Sequence, residues 1–203
     1  GNNVLNRRWL EEFGGLLGMR VSDMVGMEGI EAKHLICYTY PSDEDLARVG
    51  VTGLFLGHYL PWDGLSNTLI AQANGFITYD KVVEGSMVNY ENLDNHQTGI
   101  HDYFKYLKFG FGRATDLACL HIRRSRLTRQ DGLDAVKRLD GRFPWEYLGK
   151  SLTDILRPLD MTVDEFIRLC DKYTNKKIFK RDVSGALIKD RDGNLTKINY
   201  DNA

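Results

Sequence analysis

The sequence predicts an α/β protein in which a portion of a parallel sheet is followed by a helical region and a short β-hairpin. Three observations predict it. Short apolar runs alternate with helical stretches in the first half. From Ile100 onward the apolar residues recur at helical spacing. Near the end, two apolar runs flank the turn residues Asp190-Arg191-Asp192-Gly193-Asn194. The 203 residues, 42% of them hydrophobic, suffice for one core, or for one core and a small appendage. The expected divisions are 1–98 for the α/β part, 99–176 for the helical region and 177–203 for the tail.

In the first half, Ser42-Asp43-Glu44-Asp45 supplies an N-cap and an acidic first turn after Pro41, and the helix it opens stops at Gly50. Val51 to Leu56 reads as a buried strand. Leu65, Leu69 and Ala73 mark a helix ending at Gly75, and Phe76 to Tyr79 a further strand, so the two strands are expected to run parallel through a crossover helix. Next, Ile100, Tyr103, Phe104 and Leu107 form an apolar stripe, while His101, Lys105 and Lys108 share another face until Gly110 and Gly112 break the helix. A second helix is expected over about Ala114 to Arg124. Thr128 with Asp131 opens a third, which Asp140-Gly141 ends. Thr162, Glu165, Met161 and Phe166 spell a capping box with a hydrophobic staple, placing a helix from Val163 to about Tyr173. Ala186 to Ile188 and Leu195 to Ile198 complete the hairpin. Its Asp190-x-Asp192-Gly193-Asn194 has the alternation of a calcium loop, but the glycine comes one place early and no glutamate closes it, so a plain turn is expected.

A charged fraction of 27% without low-complexity runs is that of a folded protein. The apolar stretch from Val51 to Leu60 is too short to cross a bilayer and no signal-peptide pattern opens the chain, so the expected location is cytoplasmic. Cys37, Cys119 and Cys170 are odd in number and far apart, which suits reduced thiols, each expected to be buried. The chain opens on Gly1 rather than Met, as a fragment or a tagged chain would. Between Lys105 and Arg142 ten basic residues face four acidic ones, a net of +6 that leaves −7 for the remainder. Such an island suits an anionic substrate or nucleic acid, and equally a solvated helix face.

No self-sufficient catalytic motif is present. G-x-S-x-G, H-E-x-x-H, a Walker loop and a complete G-x-G-x-x-G are all absent, and Gly110-Phe111-Gly112-Arg113 is half of a phosphate-binding turn. His34-x-x-Cys37 has ligand spacing, but two ligands do not make a zinc site, and no metal site is expected. Two groups of polar residues stand at element ends. His58, Tyr59, Trp62 and Asp63 follow an expected strand, where open α/β sheets bind ligands. Lys105, Lys108, Arg113 and Asp116 surround the double-glycine break. Plain structural roles stand beside these: Trp62 as core, and Arg113 as neutraliser of Asp116.

The segments Gly50-Val51-Thr52-Gly53-Leu54-Phe55-Leu56-Gly57-His58-Tyr59-Leu60-Pro61-Trp62-Asp63 and His101-Asp102-Tyr103-Phe104-Lys105-Tyr106-Leu107-Lys108-Phe109-Gly110-Phe111-Gly112-Arg113-Ala114-Thr115-Asp116 occur in this order. Arg123 through Arg129, Asp140-Gly141-Arg142-Phe143-Pro144 and Met161-Thr162-Val163-Asp164-Glu165-Phe166 follow them. With these the chain resembles the N-acetyl sugar amidotransferases of lipopolysaccharide and surface-polysaccharide (O-antigen) biosynthesis, over about Glu12 to Tyr173 and excluding the tail. Glu12-Phe13-Gly14-Gly15, with Asn2 or Asn3 near an expected glutamate, is a weaker match.

The resemblance implies a PP-loop (HUP-like) ATP-pyrophosphatase fold in the complete protein. There ATP with Mg adenylates the acetamido oxygen of a nucleotide-linked or acidic sugar, and ammonia from a separate glutaminase displaces AMP. The family's Ser-Gly-Gly-x-Asp-Ser loop and amino-terminal cysteine pairs do not occur in these residues, so the chain alone is not expected to hydrolyse ATP. Carried onto this sequence, the catalytic candidates are Arg113, Asp116 and Lys108, with Asp116 orienting Arg113. The substrate-binding candidates are His58, Tyr59, Trp62, Asp63, His101, Lys105, Gly110 and Gly112. Fixed cations suit a developing oxyanion and an acidic sugar nucleotide. The later helices suit a lid or self-association into a homo-oligomer. A tRNA-modifying relative and a non-catalytic interaction module are the rival readings.

Overall fold

A computed structural model of the chain describes residues 4–7, 9 and 20–198. The segment Glu12-Phe13-Gly14-Gly15 and residues Asn2 and Asn3 lie outside the described residues. The chain forms two compact units, 1–69 and 70–203. The helical region and the tail thus share one unit.

In the first unit, β1 (Val4–Leu5) pairs antiparallel with β2 (Gly53–Leu54). Between them, short 3-10 turns lead to α1 (Asp43–Val49), which begins where its cap predicts: the Ser42 hydroxyl accepts from the Asp45 N–H at 3.1 Å, and Gly50 ends the helix at φ 76°. The expected buried strand Val51 to Leu56 is not formed. It shrinks to β2 and runs into a 3-10 turn at Leu56–His58, with Val51, Leu54 and Leu56 exposed. Leu35 is the one buried large hydrophobic among residues 20–69.

Helix α2 (Gly64–Ala73) follows, and residues 74–97 are irregular. The expected strand Phe76 to Tyr79 is absent because Tyr79 bonds locally. Its N–H donates to the Asn89 carbonyl at 2.9 Å, and its own carbonyl accepts from the Asn89 side chain at 2.9 Å. All strand pairings among the described residues are antiparallel, so the parallel sheet expected of a PP-loop fold is not found there, although helix and strand do coexist.

The second unit is built on α3 (Thr98–Phe109), α4 (Arg113–Arg123), α5 (Arg129–Leu139) and α7 (Val163–Tyr173), close to their expected bounds. Between α5 and α7 lie a two-residue hairpin, β3 (Glu146–Tyr147) with β4 (Lys150–Ser151), and the short α6 (Leu152–Leu156). Thr128 caps α5, and Thr162 and Glu165 form the predicted reciprocal box on α7. The stripe of α3 is buried at Tyr103, Tyr106 and Leu107, against Phe143, Leu152, Leu156, Phe166 and Cys170.

The tail belongs to this core through Phe179 and Leu195. It is more than a hairpin. Asp182-Val-Ser-Gly-Ala-Leu-Ile-Lys189 and Asp190-Arg-Asp-Gly-Asn-Leu-Thr-Lys197 are two copies of one eight-residue repeat. In each turn the aspartate accepts from N–H groups two and four residues on: Asp182 from Ser184 and Ala186 at 2.8 and 3.0 Å, Asp190 from Asp192 and Asn194 at 2.9 Å each. The Asp190 carboxylate therefore turns into its own loop, as the plain-turn reading expects.

Three limbs then bond in a ring. Lys180 N–H donates to Thr196, Thr196 N–H to Ile188 and Ile188 N–H to Lys180, at 2.8, 3.0 and 3.0 Å. The repeated lysines tie the ring to the helices: Lys189 pairs with Asp171 of α7 at 2.5 Å, and Lys197 donates to the Gly110 carbonyl after α3.

The three cysteines are free. Cys170 is buried, but Cys37 and Cys119 are exposed, against expectation, because each lies off the buried side of its helix, marked by Leu35 in one case and by Ala114, Leu117 and Ala118 in the other. Among the described residues no helix is long and apolar enough to cross a membrane. Since Phe179 is 0% exposed at the centre of the core, Phe179→Ala is expected to cost about 3–5 kcal/mol in urea unfolding, as a core truncation does. A loss below about 1 kcal/mol would show that the tail docks without supporting the core.

Candidate functional site

The second unit encloses a cavity of about 270 Å³ between α3, the start of α4 and the segment from Leu139 to Tyr147. Its walls are aromatic and charged, with Tyr103, Tyr106, Phe143, Trp145 and Tyr147 beside Glu84, Asp102, Arg113 and Glu146. The Phe143 and Trp145 rings stand 4.5 Å apart, and Tyr103 meets Phe143 edge-on at 5.4 Å.

One carboxylate shapes the site. Asp140, at the end of α5, accepts from the N–H groups of Gly112 and Ala114 at 2.8 and 3.0 Å and from the Thr115 hydroxyl at 2.5 Å. It thus occupies the N-terminus of α4, where the sequence suggests half of a phosphate-binding turn. That expectation is corrected: the amides a phosphate would use are already bonded to a side chain. Gly112 is required here because a Cβ would stand 2.7 Å from Asp140 Oδ1. Gly141 is required as well, since its φ is +75° and a Cβ would meet the Tyr106 ring at 2.2 Å.

Arg113 does not pair with Asp116, as expected from the sequence. Its Nε and Nη2 grip Asp102 at 2.7 and 3.1 Å, Nη1 lies 3.9 Å from Glu91, and the Asn92 amide oxygen, when turned toward it, accepts at 3.2 and 3.3 Å. Asp102 lines the cavity beside Arg113 and is only 17% exposed, whereas Asp116 is half-exposed, does not line the cavity and pairs with another cation. These bonds to Asp102 raise the pKa of the guanidinium above its ordinary value. Asp116 instead pairs with Lys105, whose ammonium also sits 4.8 Å over the Phe111 ring.

The other candidates are placed separately. Gly112 and Arg113 line the cavity; Lys105, Lys108, His101, Gly110 and Asp116 do not. His101 is exposed, with Nδ1 3.2 Å from Asp102, and Lys108 is an exposed ammonium. Gly110 ends α3 at φ 77°. His58, Tyr59, Trp62 and Asp63 lie in the first unit, where Asp63 is buried and caps α2 by accepting from the Ser66 hydroxyl at 2.6 Å, while His58, Tyr59 and Trp62 are exposed.

Asp102, Asp140, Glu84 and the aromatic wall were not among the candidates. Asp140 reads locally as a helix end, and its partners lie 25 to 28 residues earlier. The β3–β4 turn is equally hidden. Leu148 and Gly149 both have positive φ, 49° and 73°, and the Leu148 N–H donates to Glu84 at 2.9 Å.

An aromatic cavity with a few fixed polar groups has the make-up of small-ligand sites. A model of the family described as "LPS biosynthesis protein WbpG-like, C-terminal domain" matches residues 79–190, more than half of the chain. The chain belongs to this family of lipopolysaccharide-biosynthesis proteins. The match holds every cavity residue and, beyond the sequence-based expectation, enters the tail as far as Asp190. The comparison with curated proteins finds no match.

Two outcomes follow. Asp140→Ala leaves two N–H groups and a hydroxyl without their acceptor and is expected to cost about 1–3 kcal/mol, read from urea midpoints. Burial pushes Tyr106 and Tyr147 up to about 12 from 10.0, and Cys170 up to about 12 from 9.0. Unfolding releases these protons first, so their contribution is whole below about pH 9 and is lost as pH climbs toward 12. Unfolding free energies measured on either side of pH 9 check the sign.

Proposed function

We propose that the chain is the sugar-seating, carboxy-terminal part of an ATP-dependent amidotransferase of lipopolysaccharide biosynthesis. It would convert the acetamido group of a nucleotide-linked or acidic sugar to an acetamidino group, with ammonia from a separate glutaminase, on the cytoplasmic side where ATP and sugar nucleotides are available. The observation that carries this reading is the cavity of about 270 Å³, whose lining suits a pyranose. The half-exposed Trp145 ring offers its surface to sugar C–H groups, and the carboxylates of Glu84, Asp102 and Glu146 accept from hydroxyls. A family of lipopolysaccharide biosynthesis, a chemistry of sugars, supports it.

ATP with Mg, implied by the resemblance, does not fit the Gly110–Arg113 turn, because Asp140 occupies its amides. The residues of this unit bind and orient the sugar instead. Arg113, with its fork on Asp102 and Nη1 toward Glu91, is a positioning residue: it fixes the direction of the Asp102 carboxylate. The nucleic-acid alternative weakens on the same geometry, since Lys105 and Arg113 of the basic island are neutralised by carboxylates.

The complete gene product, given ATP, ammonia and a panel of nucleotide-linked acetamido sugars, is expected to yield a product lighter by the difference between an oxygen atom and an NH group. Mass spectrometry reads this directly, and no conversion across the panel would remove the reading. Arg113→Lys keeps the charge and loses the planar fork, so KM for the sugar is expected to rise about tenfold with kcat nearly unchanged. An unchanged KM would leave Arg113 a purely structural residue.

A further inference from the structure

The second unit carries another concavity, on the tail rather than beside α4. It is open, about 610 Å³ in volume, with Phe179 and Ile198 among its lining and Lys176, Lys180 and Arg181 around them. The stretch from Lys172 to Arg181 holds five cations and no acidic residue. Asp171 pairs with Lys189. Asp182, the one acidic residue in the lining, turns its carboxylate to the N–H groups and hydroxyl of its own turn and stays ionised, one negative charge against the three cations of the lining. Lys176 donates to the carbonyls of Asp171 and Lys172 at 3.2 and 3.3 Å. Lys180 and Arg181 make no ion pair among the described residues, although Lys180 is half-buried.

Like charges crowded in a concave surface repel one another, and an anion bound among them offsets that repulsion. Ammonium groups and a guanidinium around one basin match the several oxygens of a phosphate better than a single carboxylate. This differs from the Lys105 to Arg142 island, where Lys105 and Arg113 already face carboxylates. The basin and the sugar cavity share a wall: Tyr106 lines one, Phe179 the other, and their rings stand 5.3 Å apart.

We propose that the basin around Lys176, Lys180 and Arg181 is an anion site for a phosphate or diphosphate ester, separate from the sugar cavity and independent of the amidotransferase reading. Two sources share this chemistry, a soluble diphosphate ester and a phospholipid headgroup. The test titrates this 203-residue chain, whose sequence holds no Ser-Gly-Gly-x-Asp-Ser loop, with inorganic pyrophosphate by calorimetry, and sediments it with phosphatidylcholine vesicles with and without phosphatidylglycerol. Binding to at least one anion is expected, weakened about tenfold or more in the Lys180→Gln/Arg181→Gln double variant and unchanged in Lys137→Gln, an exposed cation elsewhere in the unit.

Pyrophosphate binding without vesicle binding assigns the site to a soluble ester; binding to phosphatidylglycerol vesicles assigns it to a headgroup. Arg181 is exposed and Lys180 half-buried on the tail, and circular dichroism of the double variant should confirm an unchanged fold. Failure of both anions to bind, or binding that survives the double substitution, would overturn the proposal. Neither result touches the test of sugar conversion.

Discussion

The carboxylate of Asp140 is the point on which the second unit depends. It ends one helix and begins another, because α5 leaves at the residue whose side chain satisfies the free amides of α4. Helices α4 and α5 are thereby closed into a pair at the end opposite their connecting loop, and Gly132 lets them approach closely, its missing Cβ being 2.8 Å from Ile122. The chain leaving Asp140 must then pass Tyr106 at Gly141, which delivers Phe143, Trp145 and Tyr147 to the cavity. Fixing one charge at a helix terminus therefore sets the direction of a whole wall. It also removes that terminus from service as an anion site, so a structural role displaces a functional one suggested by the glycines.

What the sequence made legible follows the range of the signals. Helices α1, α5 and α7 begin where Ser42, Thr128 and Thr162 place them, because a cap needs only residues three positions apart. The α3 stripe is legible for the same reason: Tyr103 and Leu107 share a face whatever lies beyond. The strands were not. An apolar run such as Val51 to Leu56 does not state what will pair with it, and here two residues find β1 while the others lie exposed. For Phe76 to Tyr79, one asparagine ten residues on captured the backbone that a neighbouring strand would have used.

The site was legible as a neighbourhood and not as a set of contacts. Arg113 and Gly112 do line the cavity, but the partner of Arg113 is Asp102, eleven residues earlier across a helix break, where helical spacing gives no guidance. Tail and wall meet in the same concealed way. The Asn194 side chain accepts from Phe143 N–H at 2.8 Å, and the Asp192 carbonyl accepts from the Trp145 indole at 2.8 Å, so the second repeat holds the aromatic wall from behind. The repeat itself is visible in the letters, but its function as a brace requires the fold.

The ring of three limbs in the tail has one more consequence. A strand at the margin of an open sheet offers unsatisfied N–H and C=O groups to any extended chain nearby, and so invites aggregation. At the level of Lys180, Ile188 and Thr196 each limb gives its N–H to one neighbour and its C=O to the other. The circle has no margin there. At that level the segment can thus carry an exposed side chain such as Ile188 without a backbone template for pairing with another copy of itself.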